Sequence, residues 1–147
     1  MLQISVDCDP SLKSPKIGHV KYLIKSTLRE KKVIDCDISI IFTKDRLLSE
    51  LKNQFFKKNV LTDVIAFRLN DYKLLKVEGE LYISLPRAKE NSTIYNEPYS
   101  KEVSRLIIHG CLHLLGFDDK TKSDKIKMTE LENKYLSIFD YKSIFED

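Results

Sequence analysis

One segment constrains this chain more than any other: Val103-Ser104-Arg105-Leu106-Ile107-Ile108-His109-Gly110-Cys111-Leu112-His113-Leu114-Leu115. Its apolar residues (Val103, Leu106, Ile107, Ile108, Cys111, Leu112, Leu114 and Leu115) run nearly all the way round a helix, and such a helix must be buried on most of its sides. The nearly apolar run from Leu106 to Phe117 is too short to span a bilayer and carries two histidines. The remaining chain must therefore supply a sheet and further helices to cover it.

The flanking patterns supply both. Gln3–Val6, Asp37–Thr43, Thr62–Phe67 and Glu80–Leu85 read as strands, rich in β-branched and aromatic residues. Gly79 is expected to mark the turn before the fourth strand. Pro15 to about Lys32 reads as a helix with Ile17, Val20, Ile24 and Leu28 inward and His19 on its solvated side. Asp45–Phe56 follows, with Leu47, Leu48, Leu51 and Phe55 on one side, and Pro86 opens a helix reaching about Tyr95. Ser100 is expected to N-cap the central helix. A last helix, Ser123–Ile138, has Ile126, Leu131, Tyr135 and Ile138 as its stripe. The expectation is α+β: one domain over residues 1–147, with a small mixed four-stranded sheet, about five helices and a central buried helix that binds metal.

At 147 residues such a domain buries roughly 68–70% of its unfolded surface and needs no disulfides. Cys8, Cys36 and Cys111 are few, odd in number and widely spaced, which fits a reduced, cytoplasmic setting. No basic, then apolar, leader is read at the N-terminus. A net charge of +3 is compatible with an anionic partner without requiring one.

His109 and His113 are the chemical content of the central helix. Four residues apart, they stand about 40° apart on the helical wheel and share a face. Cys111, at about 200°, points away as a core thiol. Gly116 suits the helix C-terminus, and the turn after it can bring Asp119 back towards the imidazoles, although its neighbour Asp118 competes for that place. Two imidazoles and a carboxylate with one position open are the donor set of a catalytic divalent-metal hydrolase. Gly110 bears on the reaction class. In His-Glu-x-x-His proteases the residue after the first histidine is the general base, and here it is glycine. That directs the reading from peptide to phosphodiester hydrolysis. Within a helix, glycine also costs roughly 1 kcal/mol relative to alanine, so a strand or the substrate is expected to approach it closely.

The stretch His109-Gly-Cys-Leu-His-Leu-Leu-Gly-Phe-Asp-Asp119 resembles the His-Gly-x-Leu-His-Leu-x-Gly-Tyr-Asp-His signature of the YbeY family, differing at Phe117 and Asp119. Thr62-Asp-Val-Ile-Ala-Phe67 is similar to the family's Thr-Asp/Asn-Val-Leu-Ser-Phe strand, and Gly79-Glu-Leu-Tyr-Ile-Ser84 to its Gly-Asp-Ile-Tyr-Ile-Ser strand. The resemblance implies a metal-dependent, single-strand-specific endoribonuclease. Its implied roles are late 3′-end maturation of small-subunit ribosomal RNA and ribosome quality control. It further implies one Zn2+ per chain, held here by His109, His113 and Asp119, and RNA as partner.

Two departures bear on mechanism. Asp119 stands where the family pattern has histidine, which adds negative charge and widens the choice of metal towards manganese or iron. Phe56 stands where the pattern carries an arginine thought to act in catalysis, so no catalytic side chain is carried over and metal-bound water is the expected nucleophile. Lys57, Lys58 and Arg105 are the candidates for phosphate binding, with an Arg105–Glu102 ion pair as the competing role. Residues 44–76 hold eight Lys/Arg against four Asp/Glu, and Phe55, Phe56 and Tyr72 lie among them, either stacking bases or filling a core. The competing functions are a metalloprotease-like hydrolase and a non-catalytic ribosome-assembly or RNA-binding factor with structural zinc.

Overall fold

Alternation of apolar and polar residues sets the sheet. In the computed structural model, which describes residues 1–56 and 62–145, the strands are β1 (Leu2–Cys8), β2 (Asp35–Thr43), β3 (Val64–Arg68) and β4 (Lys76–Ser84). Their order is β1-β2-β4-β3. β1 and β4 flank β2 in parallel, and β3 pairs antiparallel with β4. Cys36, Ile38, Ile40 and Phe42 of β2 and Val77, Leu81 and Ile83 of β4 fall on one face, and all are buried. The helices are α1 (Ile17–Leu28), α2 (Asp45–Phe56), α3 (Leu85–Ile94), α4 (Tyr99–Leu114) and α5 (Lys122–Ser137). The expected α+β architecture is thus what forms.

α4 lies on that apolar face with α1, α3 and α5 around it. Ile107, Ile108, Cys111, Leu112 and Leu114 have no exposed surface. Each large aliphatic side chain buried in this way stabilises the fold by roughly 1.5–3 kcal/mol. α2 covers part of the opposite face, where Phe55, Phe67 and Tyr82 form an edge-to-face series at 5.4 and 5.9 Å.

Several local expectations are corrected. Gly79 lies inside β4, paired with Ile38 and Arg68, and marks no turn. It keeps the inward phase of Val77, Leu81 and Ile83, and a Cβ there would lie 2.8 Å from Leu114 Cδ2. Glycine here leaves room for Leu114 of α4 to pack against the sheet. Pro98, not Ser100, occupies the N-cap of α4, and no side chain caps that end. α1 gives way to a 3-10 turn at Arg29–Lys31, and its inward residues are Val20, Leu23, Ile24 and Leu28, with Ile17 exposed. His19 is half-buried and sets its ring edge-on to Phe139 at 6.2 Å, so it is not simply solvated. On α2, Leu48 is fully buried and Phe55 exposed. The buried stripe of α5 is Met128, Leu131, Glu132, Tyr135 and Leu136, while Ile126 and Ile138 face solvent.

Candidate metal centre

The site is built by the last two turns of α4 and the way that helix ends. Gly116 adopts φ +99°, a left-handed conformation that side chains disfavour. The Gly116 amide donates to the His113 carbonyl at 3.0 Å and the Phe117 amide to the Leu112 carbonyl at 3.0 Å. This is the Schellman arrangement, which closes a helix and reverses the chain. The reversal carries Asp119 back over the imidazoles. Asp119 Oδ2 stands 3.4 Å from His109 Nε2 and 3.5 Å from His113 Nε2, and the two Nε2 atoms are 3.0 Å apart. All three donors lie within 4.8 Å of one another. Asp118 is used differently: its Oδ1 accepts the Asp119 amide at 2.9 Å and so shapes the turn. Just beyond, a Thr121–Asp124 capping box starts α5.

Behind the site, residues that the sequence did not single out (Glu132, Asn91 and Asp63) join the Arg105–Glu102 pair that it did. His109 Nδ1 lies 2.6 Å from Glu132 Oε2, and Glu132 is 6% exposed. Glu132 Oε1 accepts from Arg105 Nη1 at 3.4 Å. Arg105 in turn donates from Nε and Nη2 to both oxygens of Glu102, each at 2.8 Å. Glu102, 3% exposed, also accepts from Asn91 Nδ2 at 3.3 Å, and the same amide reaches Asp63 Oδ2 at 3.0 Å. The signal that identifies Glu132 lies in its phase. Positions 128, 131, 132, 135 and 136 form one helical face, on which glutamate is the polar member. A buried acid on such a face must have a partner.

Of the two roles open to Arg105, the structure shows the ion pair with Glu102. Its guanidinium is committed to two buried carboxylates, and the Glu102 hydrogen bonds, working against burial, hold its proton more firmly than in a free arginine. Lys57 and Lys58, the other phosphate candidates, lie outside the described residues, as does the side chain of Phe56. Phe55 leans on Phe67. Tyr72 is exposed and lies beneath the Arg68 guanidinium at 5.0 Å. Arg68 itself donates to the Leu114 carbonyl at 2.7 Å and fastens the β3–β4 connection to the end of α4.

The donors suit a divalent cation. Burial, and then the neighbouring His109, push the His113 imidazole below its ordinary value, with Asp119 opposing, so its lone pair stays available. Asp63, Glu102, Asp119 and Glu132 set four carboxylates of this network against the Arg105 guanidinium, an excess of negative charge that favours a bound cation. The donor side chains keep 15%, 27% and 42% of their surface for His109, His113 and Asp119, so the centre opens to solvent, unlike a closed structural site. Cys111 is fully buried, its thiol raised by desolvation, and it plays no part. Gly110 faces β4: a Cβ there would lie 2.8 Å from Leu81 Cδ2 and 3.3 Å from Val64 Cγ2. What approaches it is a strand, and a side chain at 110 would not point into the site.

Comparison with known proteins identifies the family. The model of the family described as Endoribonuclease YbeY matches residues 11–140. The Endoribonuclease YbeY of Flavobacterium psychrophilum is 32% identical over 143 residues, covering 97% of this chain and 99% of the relative. That of Bacteroides fragilis is 39% identical over 103 residues, covering 69% and 72%. Among solved structures, the solution structure of TM1509 from Thermotoga maritima superposes with a TM-score of 0.60 at 28% identity, covering 92% of this chain and 87% of the other. On the family match and the relatives together, this chain belongs to the YbeY endoribonuclease family.

Proposed function

We propose that this protein is a metal-dependent endoribonuclease that cuts single-stranded RNA in the maturation of ribosomal RNA, with late 3′-end processing of the small-subunit RNA and ribosome quality control as its roles. The convergence of His109, His113 and Asp119 on one solvent-facing point carries the reading, within a chain whose relatives bear the endoribonuclease name. We assign one Zn2+ per chain to these donors, with manganese or iron as the substitutes that the carboxylate admits. Such an ion, when bound, acts as a Lewis acid towards a phosphoryl oxygen and lowers the pKa of water.

The chain's own residues perform the rest. His109 and His113 present Nε2 on one face of α4, and the Gly116 turn delivers Asp119 opposite them. Glu132 Oε2 stands 2.6 Å behind the ring, against His109 Nδ1, the nitrogen turned away from the site. Among the described residues Arg105 is spent on Glu102 and Glu132, so RNA phosphates are held by other cations. Gly110, turned into β4, speaks against the protease reading, and the exposure of the donors speaks against a purely structural metal. No helix among the described residues is long and apolar enough to cross a membrane. A cytoplasmic location is proposed on the reduced cysteines.

The test is His113→Ala beside wild type, with metal content by elemental analysis and cleavage of a single-stranded RNA in parallel. Both are expected to fall to background in the variant. Stoichiometric metal retained by a folded His113→Ala protein would sink the assignment.

A further inference from the structure

We propose that Glu132 is the positioning residue of the metal centre, holding His109 in the Nδ1–H tautomer, with Arg105 serving to hold Glu132. The inference rests on reading His109 as a metal donor. A carboxylate is an acceptor only, so the 2.6 Å contact from Glu132 Oε2 places the proton on Nδ1. A neutral imidazole with its proton there has its lone pair on Nε2. That is the atom 3.0 Å from His113 Nε2 and 3.4 Å from Asp119 Oδ2. The opposite tautomer, the one free imidazoles favour, would aim an N–H into the centre and exclude a cation.

The device depends on Glu132 being both buried and charged. At 6% exposure a lone carboxylate would be costly. Arg105 supplies the countercharge at 3.4 Å and cannot swing away, since two 2.8 Å bonds hold it to Glu102. Glu102 is held through Asn91 of α3, which also binds Asp63 just before β3. The orientation of one imidazole is thereby tied to α5, α3 and the start of β3. Hydrogen-bonded carboxylates of this kind fix the ring and raise the basicity of the ligand.

Uniformly 15N-labelled, metal-free wild type, Glu132→Gln and Glu132→Ala are compared at about pH 8, where imidazoles are neutral. Ring 1H–15N correlations give the His109 tautomer, and competition with a chromophoric chelator gives Zn2+ affinity. Wild type is expected to show His109 as Nδ1–H. Glutamine keeps an acceptor and so the tautomer, but loses the charge, and Zn2+ binding weakens about tenfold. Alanine releases the ring to the Nε2–H form, and Zn2+ binding weakens by roughly 10–100-fold. A wild-type His109 found as Nε2–H overturns the proposal, as does unchanged Zn2+ affinity in both variants. If Glu132→Ala fails to fold, unchanged affinity in Glu132→Gln is enough to overturn it. Wild type that fails to bind Zn2+ would instead defeat the metal assignment, and the wild-type tautomer would still decide the role of Glu132.

Discussion

Arg105→Ala should destabilise this protein by roughly 3 kcal/mol, in contrast to the small effect expected of a surface phosphate clamp. Arg105 makes two 2.8 Å bonds to Glu102, which is 3% exposed, and a 3.4 Å contact to Glu132, which is 6% exposed. Removing one partner of a buried ion pair costs about 3–5 kcal/mol, because the surviving charge is stranded. The Arg105 side chain is 29% exposed, so water can enter the vacated space and hold the loss near the lower bound. With a urea dependence of about 2 kcal/mol per molar, the unfolding midpoint should fall by about 1.5 M. The deficit should shrink on acidification, since protonation relieves a stranded carboxylate. The double change Glu102→Gln with Arg105→Met, which removes the Glu102 charge along with its partner and leaves Glu132 without its guanidinium partner, should recover part of the loss. Urea titrations at about pH 7.5 and about pH 5 measure all three effects. An Arg105→Ala protein within 1 kcal/mol of wild type that bound single-stranded RNA more weakly would refute the reasoning and return Arg105 to the substrate.

Three further outcomes are expected. Asp119→Ala should lose Zn2+ during dialysis far faster than Asp118→Ala, because only Asp119 faces both imidazoles; the reverse order would assign the donor role to Asp118. Gly110→Ala gains about 1 kcal/mol of helix propensity but forces a Cβ against Leu81 Cδ2 at 2.8 Å in a filled core, an overpacking cost of roughly 1–3 kcal/mol. A net loss is therefore expected by urea unfolding, and a gain would mean that Leu81 can retreat. Glu30 accepts from Tyr135 Oη at 2.6 Å and Lys134 Nζ at 2.9 Å, which together hold its carboxyl below the usual range. A depressed carboxylate stabilises the fold above its unfolded value of 4.5 and loses that contribution as pH falls through its folded value. Glu30→Gln should thus be weaker by about 1 kcal/mol at neutral pH and show a shallower loss below about pH 4.5 in thermal melts.

The donors were legible because they are neighbours in sequence. An i, i+4 pair of histidines on an apolar helix, a terminating glycine and a nearby carboxylate are local signals, and the structure brings those residues together. Gly110 was legible as a cost, and its cause is the approach of Leu81. Gly79 was misread because glycine is usually punctuation. Alternation with Val77 and Leu81 carried the stronger information, that this position faces the core and must be small. On α5 the expected stripe is half right: Leu131 and Tyr135 are buried, while Ile126 and Ile138, large and apolar, lie at the ends of the helix and face solvent. The role of Arg105 was undetermined from sequence, since a phosphate and a carboxylate present the same chemistry to a guanidinium. Burial of Glu102 and Glu132 favours the ion pair, and burial is a property of the packed molecule.

The span from His109 to Asp119 has a consequence for how the centre assembles. Closing a loop costs more entropy the longer it is, and these donors are joined by one helical turn and a single reversal. They come together once the end of α4 forms, with no need for the sheet to choose its register. Glu132, by contrast, requires α5 to dock, and Asp63 requires the chain before β3 to be in place. Binding energy gained at the donors therefore favours a local nucleus, while selection of one imidazole tautomer waits on long-range closure. A cation captured early in folding would be held loosely, and tightened only as the last helix arrives.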